Sequence, residues 1–530
     1  MTSTVPPKRV QEAAVTVDSP PPVQPDRGGF FGHPRGLSTL FFTEMWERFS
    51  YYGVRPLLIL YMAAALSDGG FGFPRLQASA IVGIYASSVY LASLPGGWIA
   101  DRLLGLRRAI LTGAALISLG HISIGLSAFL GGRVPFFVGL VFIVLGTGLL
   151  KPNISAIVGD LYPEGGARRD AGFSIFYMGI NSGSFLGQIV TGVLGEKVGW
   201  HWGFGAAGVG MLIGLIVFAT RSGKTLGNLG LETTKHPDPV VQARQVSRTK
   251  IGIAVGLAAL ALVVILAATG AITLNPQVIG RYMTYVLVGL SVLYFGYIFS
   301  AGGLTSDERK RVMVILVLFV FSAIFWSAFE QAPTSLNLFA RDFTDRRLGG
   351  FEIPATWFQA VNALFIIIFA PVFALIWSGL AKRGVDLSSP TKFTIGLLAA
   401  GLAFFVMLLA ANLIVQSGGT VKVSPWWLVG SYLLQTVGEL SISPVGLSSM
   451  TKLSPRRYVG QMMGVWFLAT ALGNLIAGLV GGSVNPEDLA QTPRLFTLTT
   501  ASLTIAAVVL AFLIVPIRNM MAKADQRAIS

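Results

Sequence analysis

The chain has 530 residues, of which 53 % are hydrophobic and only 12 % charged, against roughly 25 % charged in an ordinary soluble domain. With a mean hydropathy of +0.68, these proportions exclude a soluble globular chain, a disordered one and a collagen. The lack of any Cys excludes a disulfide scaffold, a thiolate nucleophile and a Cys-ligated metal. What remains is an all-α, polytopic membrane protein.

Residues 1–35 are polar and Pro-rich and read as a disordered tail. They hold no apolar stretch of the signal-peptide kind, so the first span is expected to direct insertion. Runs of about 20 mostly apolar residues then begin near Leu37, Leu76, Arg107, Val134, Arg169, Trp202, Ile251, Tyr282, Arg311, Pro354, Lys392, Trp426, Tyr458 and Leu495, which gives fourteen expected spans. A long polar connection follows the sixth. The chain therefore divides into a six-helix bundle at 36–222, a linker at 223–250, an inserted helix pair at 251–303, a second six-helix bundle at 304–522 and a tail at 523–530. The inserted pair has no ionisable residue within its helices except Arg281 at a rim, so it is expected to face lipid at the periphery.

Most of the 39 Lys and Arg fall at the termini and on even-numbered connections, which places both ends in the cytoplasm by the positive-inside rule. The formal net charge of +15 is thus spread over inner turns and does not form a nucleic-acid-binding patch. One outer connection runs against the trend with Arg341, Arg346 and Arg347, offset by Asp342, Asp345 and Glu352.

Ionisable residues inside spans are expensive and usually line a cavity. In the first span Glu44, Glu47, Arg48, Tyr51, Tyr52 and Arg55 recur at helical spacing and fall within an arc of about 140°. They cover about 16 Å of helix, half the hydrocarbon core, too deep for solvated ends alone. The fourth span places Lys151 beside Pro152, which loosens the helix there. Tyr177, Asn181, Ser184 and Gln188 make a polar stripe in the fifth span, where helix–helix contact and ligand contact are both open. Trp326, Glu330, Thr334 and Asn337 share a face in the ninth, Asn362 sits in the tenth, and Gln435, Glu439 and Ser443 align above Pro444 in the twelfth. Trp466 in the thirteenth reads first as core packing or an interfacial anchor, and the lone His121 as a hydrogen-bonded core histidine. Four carboxylates, Glu44, Glu47, Glu330 and Glu439, face three bases, Arg48, Arg55 and Lys151. A carboxylate without a counter-charge in a low-dielectric site favours its protonated form, which is the minimum apparatus for coupling to protons. No cluster has metal-ligand spacing.

Gly97 to Arg108, with Asp101 and Arg102 at the turn between spans two and three, resembles the signature loop of the major facilitator superfamily. The resemblance implies two six-helix bundles that rock about a site near the bilayer midplane, with Asp101 and Arg102 in a cytoplasmic latch between the halves. Glu44-Met45-Trp46-Glu47-Arg48-Phe49-Ser50-Tyr51-Tyr52 is similar to the E-x-x-E-R-F-x-Y-Y motif of the proton-dependent oligopeptide transporter (POT/PTR) family, and Phe176 to Ser184 resembles that family's F-Y-x-x-I-N-x-G-S motif. The inserted pair is the bacterial pattern. The resemblance implies a proton-linked network of Glu44, Glu47, Arg48 and Lys151, and an outer gate formed by Arg55 and Glu330. Lys151 and Arg55 would attract the peptide carboxylate, while Asn181, Asn362 and Glu439 would hold the amino terminus. Tyr51, Tyr52, Tyr90, Tyr177, Trp326 and Trp466 would line side-chain pockets, and Ser443 would lie where the helix bends near the inner gate. No His stands in the second span, unlike some animal members, so coupling would rest on carboxylates and Lys151.

The expected function is a proton-coupled symporter that imports di- and tripeptides across the bacterial inner membrane, as a monomer, with no cofactor beyond the proton gradient and no nucleic-acid partner. A major facilitator for another solute (nitrate, an amino acid or a drug) is the alternative. A membrane-embedded enzyme is the remoter one, for which the chain offers no catalytic cluster.

Overall fold

A computed structural model of the protein describes residues 29–130, 132–235, 237–385 and 387–529. The Pro-rich stretch up to residue 28 lies outside the described residues. After a short turn at Phe30–Gly32 the first half comprises α1 (Arg35–Ala63), α2 (Arg75–Ile99), α3 (Leu106–Leu130), α4 (Arg133–Asp160), α5 (Gly166–Val193) and α6 (Trp200–Thr225). Then come α7 (Pro239–Ala268) and α8 (Pro276–Ala301). The second half holds α9 (Ser306–Phe329), α10 (Asn337–Phe343), α11 (Trp357–Lys382), α12 (Ser389–Gln416), α13 (Trp426–Leu453), α14 (Val459–Gly481) and α15 (Gln491–Ile529). A π-helical turn at Ala332–Leu336 joins α9 to α10 in one span, so the described residues form fourteen long helical segments. A two-strand hairpin, β1 (Arg347–Leu348) and β2 (Phe351–Glu352), precedes α11.

Local chemistry sets several boundaries. Helix α7 starts at Pro239, ahead of the expected 251, because Asp238 caps it: its carboxylate accepts from the amides of Val240 (2.8 Å) and Val241 (3.4 Å). Proline suits the first helical position, where the N–H would be unsatisfied anyway. Thr305 and Glu308 form a reciprocal capping box at the start of α9. Helix α15 continues to Ile529, past the limit of 522 expected for the last bundle.

Among the described residues, eleven segments are long and apolar enough to cross a membrane. The three that fall short, α1, α5 and α13, are the ones that carry the polar stripes of Glu44 to Arg55, Tyr177 to Gln188 and Gln435 to Ser443. Hydropathy is lowest where the interior has to be wet.

Helices α1–α6 pack on one another, α9–α15 do the same, and the halves meet chiefly where α2 crosses α14 and α5 crosses α11. At the first crossing the backbones touch: a Cβ on Gly83 would stand 2.7 Å from the Gly478 Cα, and one on Gly478 would stand 2.5 Å from the Gly83 Cα. No residue in the apolar stretch of α7 is buried, as its composition implies, and α7 rests on the turn at Ala100–Leu104. Helix α8 is less peripheral than expected, for it leans on both α2 and α14 and so straddles the two halves.

Replacing Gly83 with Ala should lower the thermal unfolding midpoint of the detergent-solubilised protein, by the equivalent of about 1–3 kcal/mol of overpacking. Gly289→Ala on α8, where a Cβ meets nothing within 4 Å, should leave it equal or higher. Equal midpoints for both variants would mean that the crossing is not tight.

Candidate functional site

A cavity of about 620 Å³ lies between the halves, within the range of small-molecule sites. Its walls take Glu44, Arg48, Tyr52 and Arg55 from α1, Tyr90 from α2, Lys151 from α4, and Tyr177, Asn181, Ser184 and Gln188 from α5. The other half supplies Trp326 and Glu330 at the end of α9, Gln359 and Asn362 from α11, Tyr432, Gln435, Glu439 and Ser443 from α13, and Trp466 and Thr470 from α14.

The charges on α1 are buried, and Glu44, Glu47 and Arg48 compensate one another within the helix. Arg48 Nε stands 3.1 Å from Glu44 Oε1 and against Glu47 Oε2, and the guanidinium lies 5.2 Å from the Tyr51 ring centroid. Glu44 Oε2 and Arg48 Nη2 have no hydrogen-bond partner among the described residues, so the protein leaves hydrogen-bonding capacity unused at this wall. Arg55 reaches across the divide, where one Nη donates both to Glu330 and to Asn474 Oδ1 (2.6 Å). Lys151 makes no ion pair among the described residues; its ammonium sits 4.1 Å from the Tyr90 ring centroid, in cation–π contact. On the far wall Asn362 donates to Thr436 Oγ1 (3.0 Å) and to Glu439 Oε2 (3.3 Å). Asn181 donates to the Tyr177 carbonyl of its own helix at 3.0 Å. The cations at the cavity, Arg48, Arg55 and Lys151, all come from the first half, while Glu330 and Glu439 come from the second.

Some residues singled out by sequence stand elsewhere. Glu47 and Tyr51 are buried behind the cavity wall: Glu47 accepts from Thr147 on α4 at 3.5 Å, and Tyr51 stacks on Tyr85 at 6.1 Å. Lys151 lines the same cavity as Glu44 and Arg48 but makes no direct ion pair with Glu44 or Glu47 among the described residues. Trp466 is both wall and packing, since a Cβ on Gly446 would fall 2.1 Å from its ring. Asp101 is exposed on the turn after α2, its carbonyl accepting from Thr234 N at 2.8 Å, and Arg102 lies 5.7 Å from the Trp98 ring centroid. Neither makes an ion pair with the other half among the described residues. His121 is a core histidine, 2.6 Å from Ser50 Oγ. Sequence reading missed Asn474, Thr436, Gln359, Tyr432 and Thr470. The spacing of Trp466, Thr470 and Asn474, four residues apart, was the available signal for two of them.

Polar contacts between the halves cluster on the side away from the termini. Arg75 donates to Asp342 (2.5 Å) and to the Val484 carbonyl (2.9 Å), and Asn337 to the Pro56 carbonyl (2.8 Å). Glu196, in the turn after α5, accepts from the amides of Ala355 (2.8 Å) and Thr356 (3.0 Å) and from the Thr356 hydroxyl (2.9 Å), so it ties the turn that leads into α11 to the opposite half. Lys197 Nζ donates to Glu352 at 3.0 Å. That bond, with Arg346 and Lys422 nearby, holds the Glu352 carboxyl below its usual range. The charges of this connection that broke the positive-inside pattern neutralise one another: Arg346 pairs with Glu352 at 2.9 Å and Arg341 with Asp342 at 3.0 Å.

A family model described as the POT family matches residues 107–495. A peptide transporter of Yersinia enterocolitica is 52% identical over 496 residues, covering 93% of this chain and 96% of the relative. A di-/tripeptide transporter of Lactococcus lactis subsp. cremoris is 36% identical over 499 residues, covering 93% and 97%. A crystal structure of a mutant peptide transporter POT in complex with alafosfalin superposes with a TM-score of 0.83 at 41% identity, covering 93% of this chain and 97% of that one.

The Glu352 carboxylate gains Lys197 only while the halves are closed on this side. Its stabilisation of closure is therefore present above the ordinary carboxylate value of 4.5 and lost as pH falls through the depressed one. With no native Cys in the chain, spin labels at Leu66→Cys and Leu348→Cys, both exposed, should report a longer distance once the pH is taken well below the ordinary carboxylate value than at pH 7. Glu352→Gln should lengthen the distance already at pH 7 and blunt the change. An unaltered pH 7 distance in that variant would deny the bond a part in closure.

Proposed function

The chain belongs to the POT family, and on that premise we propose that it is a proton-coupled symporter importing di- and tripeptides by alternating access. It is a multi-pass membrane protein, and we place it in the bacterial inner membrane with both termini in the cytoplasm. The observation that carries the reading is the uneven charge across the cavity: Arg48, Arg55 and Lys151 stand on the first half, where the one carboxylate, Glu44, is paired with Arg48, and Glu330 and Glu439 stand on the second. A peptide, whatever its side chains, has one anionic and one cationic end. Lys151 and Arg55 would take the carboxylate, while Glu439, Asn362 and Asn181 would take the ammonium. Between them Tyr52, Tyr90, Tyr177, Trp326 and Trp466 offer apolar, adaptable walls, so the spacing of the poles selects length and the walls tolerate sequence.

A ligand with both charges can bridge the halves from within and compete for groups that hold the far side shut. Lys151, resting on a π face rather than on a carboxylate, gives up little to meet a new anion. Glu44 and Glu47 share the single guanidinium of Arg48, so one proton on this pair leaves a neutral trio, and we assign the carrier role to them. About 100 mV contributes roughly 2.3 kcal/mol per proton, enough for accumulation on the order of 50-fold.

In liposomes with an inward proton gradient and negative-inside potential, the protein should accumulate labelled dialanine. Di- and tripeptides should compete and free alanine and nitrate should not, and a protonophore should abolish accumulation. Glu44→Gln and Glu47→Gln should lose uphill uptake while keeping peptide exchange, and Lys151→Ala should lose both. Uphill, pH-driven uptake retained by both glutamine variants would remove the pair as carrier. Failure of dialanine to accumulate or exchange at all would remove the substrate reading.

A further inference from the structure

Helix α8 leans on α2 and α14 and meets α9 through the Phe295–Phe319 ring pair at 5.7 Å. Beside that pair the two helices part around a second cavity of about 540 Å³, lined by Val292, Phe295, Gly296, Phe299, Phe319 and Ala323 among others. Its hydroxyls are spent within their own helices, Ser291 on the Leu287 carbonyl at 2.7 Å and Ser327 on the Ile324 carbonyl at 2.8 Å. The cleft thus offers its occupant no hydrogen-bond donor, and its apolar walls favour an acyl chain over water or peptide. From Val288 to Phe299 it extends about 16 Å along α8, close to the half-thickness of a hydrocarbon core of about 30 Å.

The end of the cleft nearer the termini is basic. Arg309, exposed, donates to the carbonyl of Phe299, itself a lining residue, at 3.2 Å. Arg457 donates to the Gly303 carbonyl at 2.6 Å, and the exposed Arg456 stands next to it. Segments 304–311 and 456–457 together hold five bases and two acids. An apolar slot one leaflet deep, opening beneath arginines, matches a molecule with an acyl chain and an anionic head. We propose that this cleft binds one anionic phospholipid from the leaflet adjoining the termini, its acyl chain between α8 and α9 and its phosphate at Arg309 and Arg456. Because α8 touches both α2 and α14, such a lipid would act as a filler behind the crossing of the halves. The proposal is independent of what the central cavity carries.

The test is native mass spectrometry of the delipidated full chain, titrated with phosphatidylglycerol and phosphatidylethanolamine of matched acyl chains. The first phosphatidylglycerol should bind about tenfold more tightly than the first phosphatidylethanolamine. Gly296→Leu, which places a side chain where a Cβ now meets nothing within 4 Å, should remove the tight site. Val292→Trp, at a lining position 66% exposed, should do the same should the first variant fail to fold. Arg309→Gln with Arg456→Gln should keep a first lipid but erase the difference between the two headgroups. Equal affinities in the unaltered protein, undiminished phosphatidylglycerol binding in the folded cleft variant, or displacement by free glycerol phosphate would each overturn the proposal. The last result would mark a surface anion site with no part for the cleft.

Discussion

A guanidinium in the middle of a bilayer persists only where acceptors surround it, and Arg55 finds its acceptors on the other half of the molecule. Glu330 and Asn474 both lie across the divide, so the desolvation cost of a charge on α1 is offset only while the halves are shut on the far side. The remaining polar contacts across the halves, from Arg75 with Asp342 to Glu196 with the turn ahead of α11, stand on that same side. A cavity walled by both halves and sealed on one side is one stage of an alternating-access cycle, and the state of the chain follows from where its buried charges are satisfied.

The two pairs of buried charge on α1 differ in what they couple. Arg48 is compensated within its own helix by Glu44 and Glu47, so its balance is indifferent to how the halves stand and sensitive to protons. Arg55 is compensated from outside, so its balance follows the relative position of the halves. Seven residues, about two turns, separate the two kinds of response on a single rigid helix. Ligand charge, proton charge and closure therefore meet on α1 without a long relay.

Much of this was legible in the sequence because membrane helices make polarity costly. The stripes on α1, α5 and α13 stood out from apolar surroundings, and most of their members do face the cavity. The spacing was too coarse to resolve what an arc of about 140° contains, and Glu47 and Tyr51 turn toward α4 and α2 instead. The neighbour of Lys151 was out of reach as well, since Tyr90 is on a different helix and an aromatic partner leaves no charge pattern to read. The start of α7 was legible only by weighing Asp238 and Pro239 as a cap over the hydropathy beyond them. Asn474 and Thr436 were missed because single amides and hydroxyls are common helix–helix contacts, and only their partners, Arg55 and Asn362, give them meaning.

The contact that Glu196 makes with the turn ahead of α11 joins one side chain mainly to main-chain amides of the other half. A latch between two side chains can be broken by mutation at either end. Here one end is backbone, and the amide at 355 survives every substitution of Ala355 except proline. Sequence drift on the second half can remove the Thr356 hydroxyl from this contact but leaves the two amide bonds, whose loss needs a change at the single acidic residue on the first.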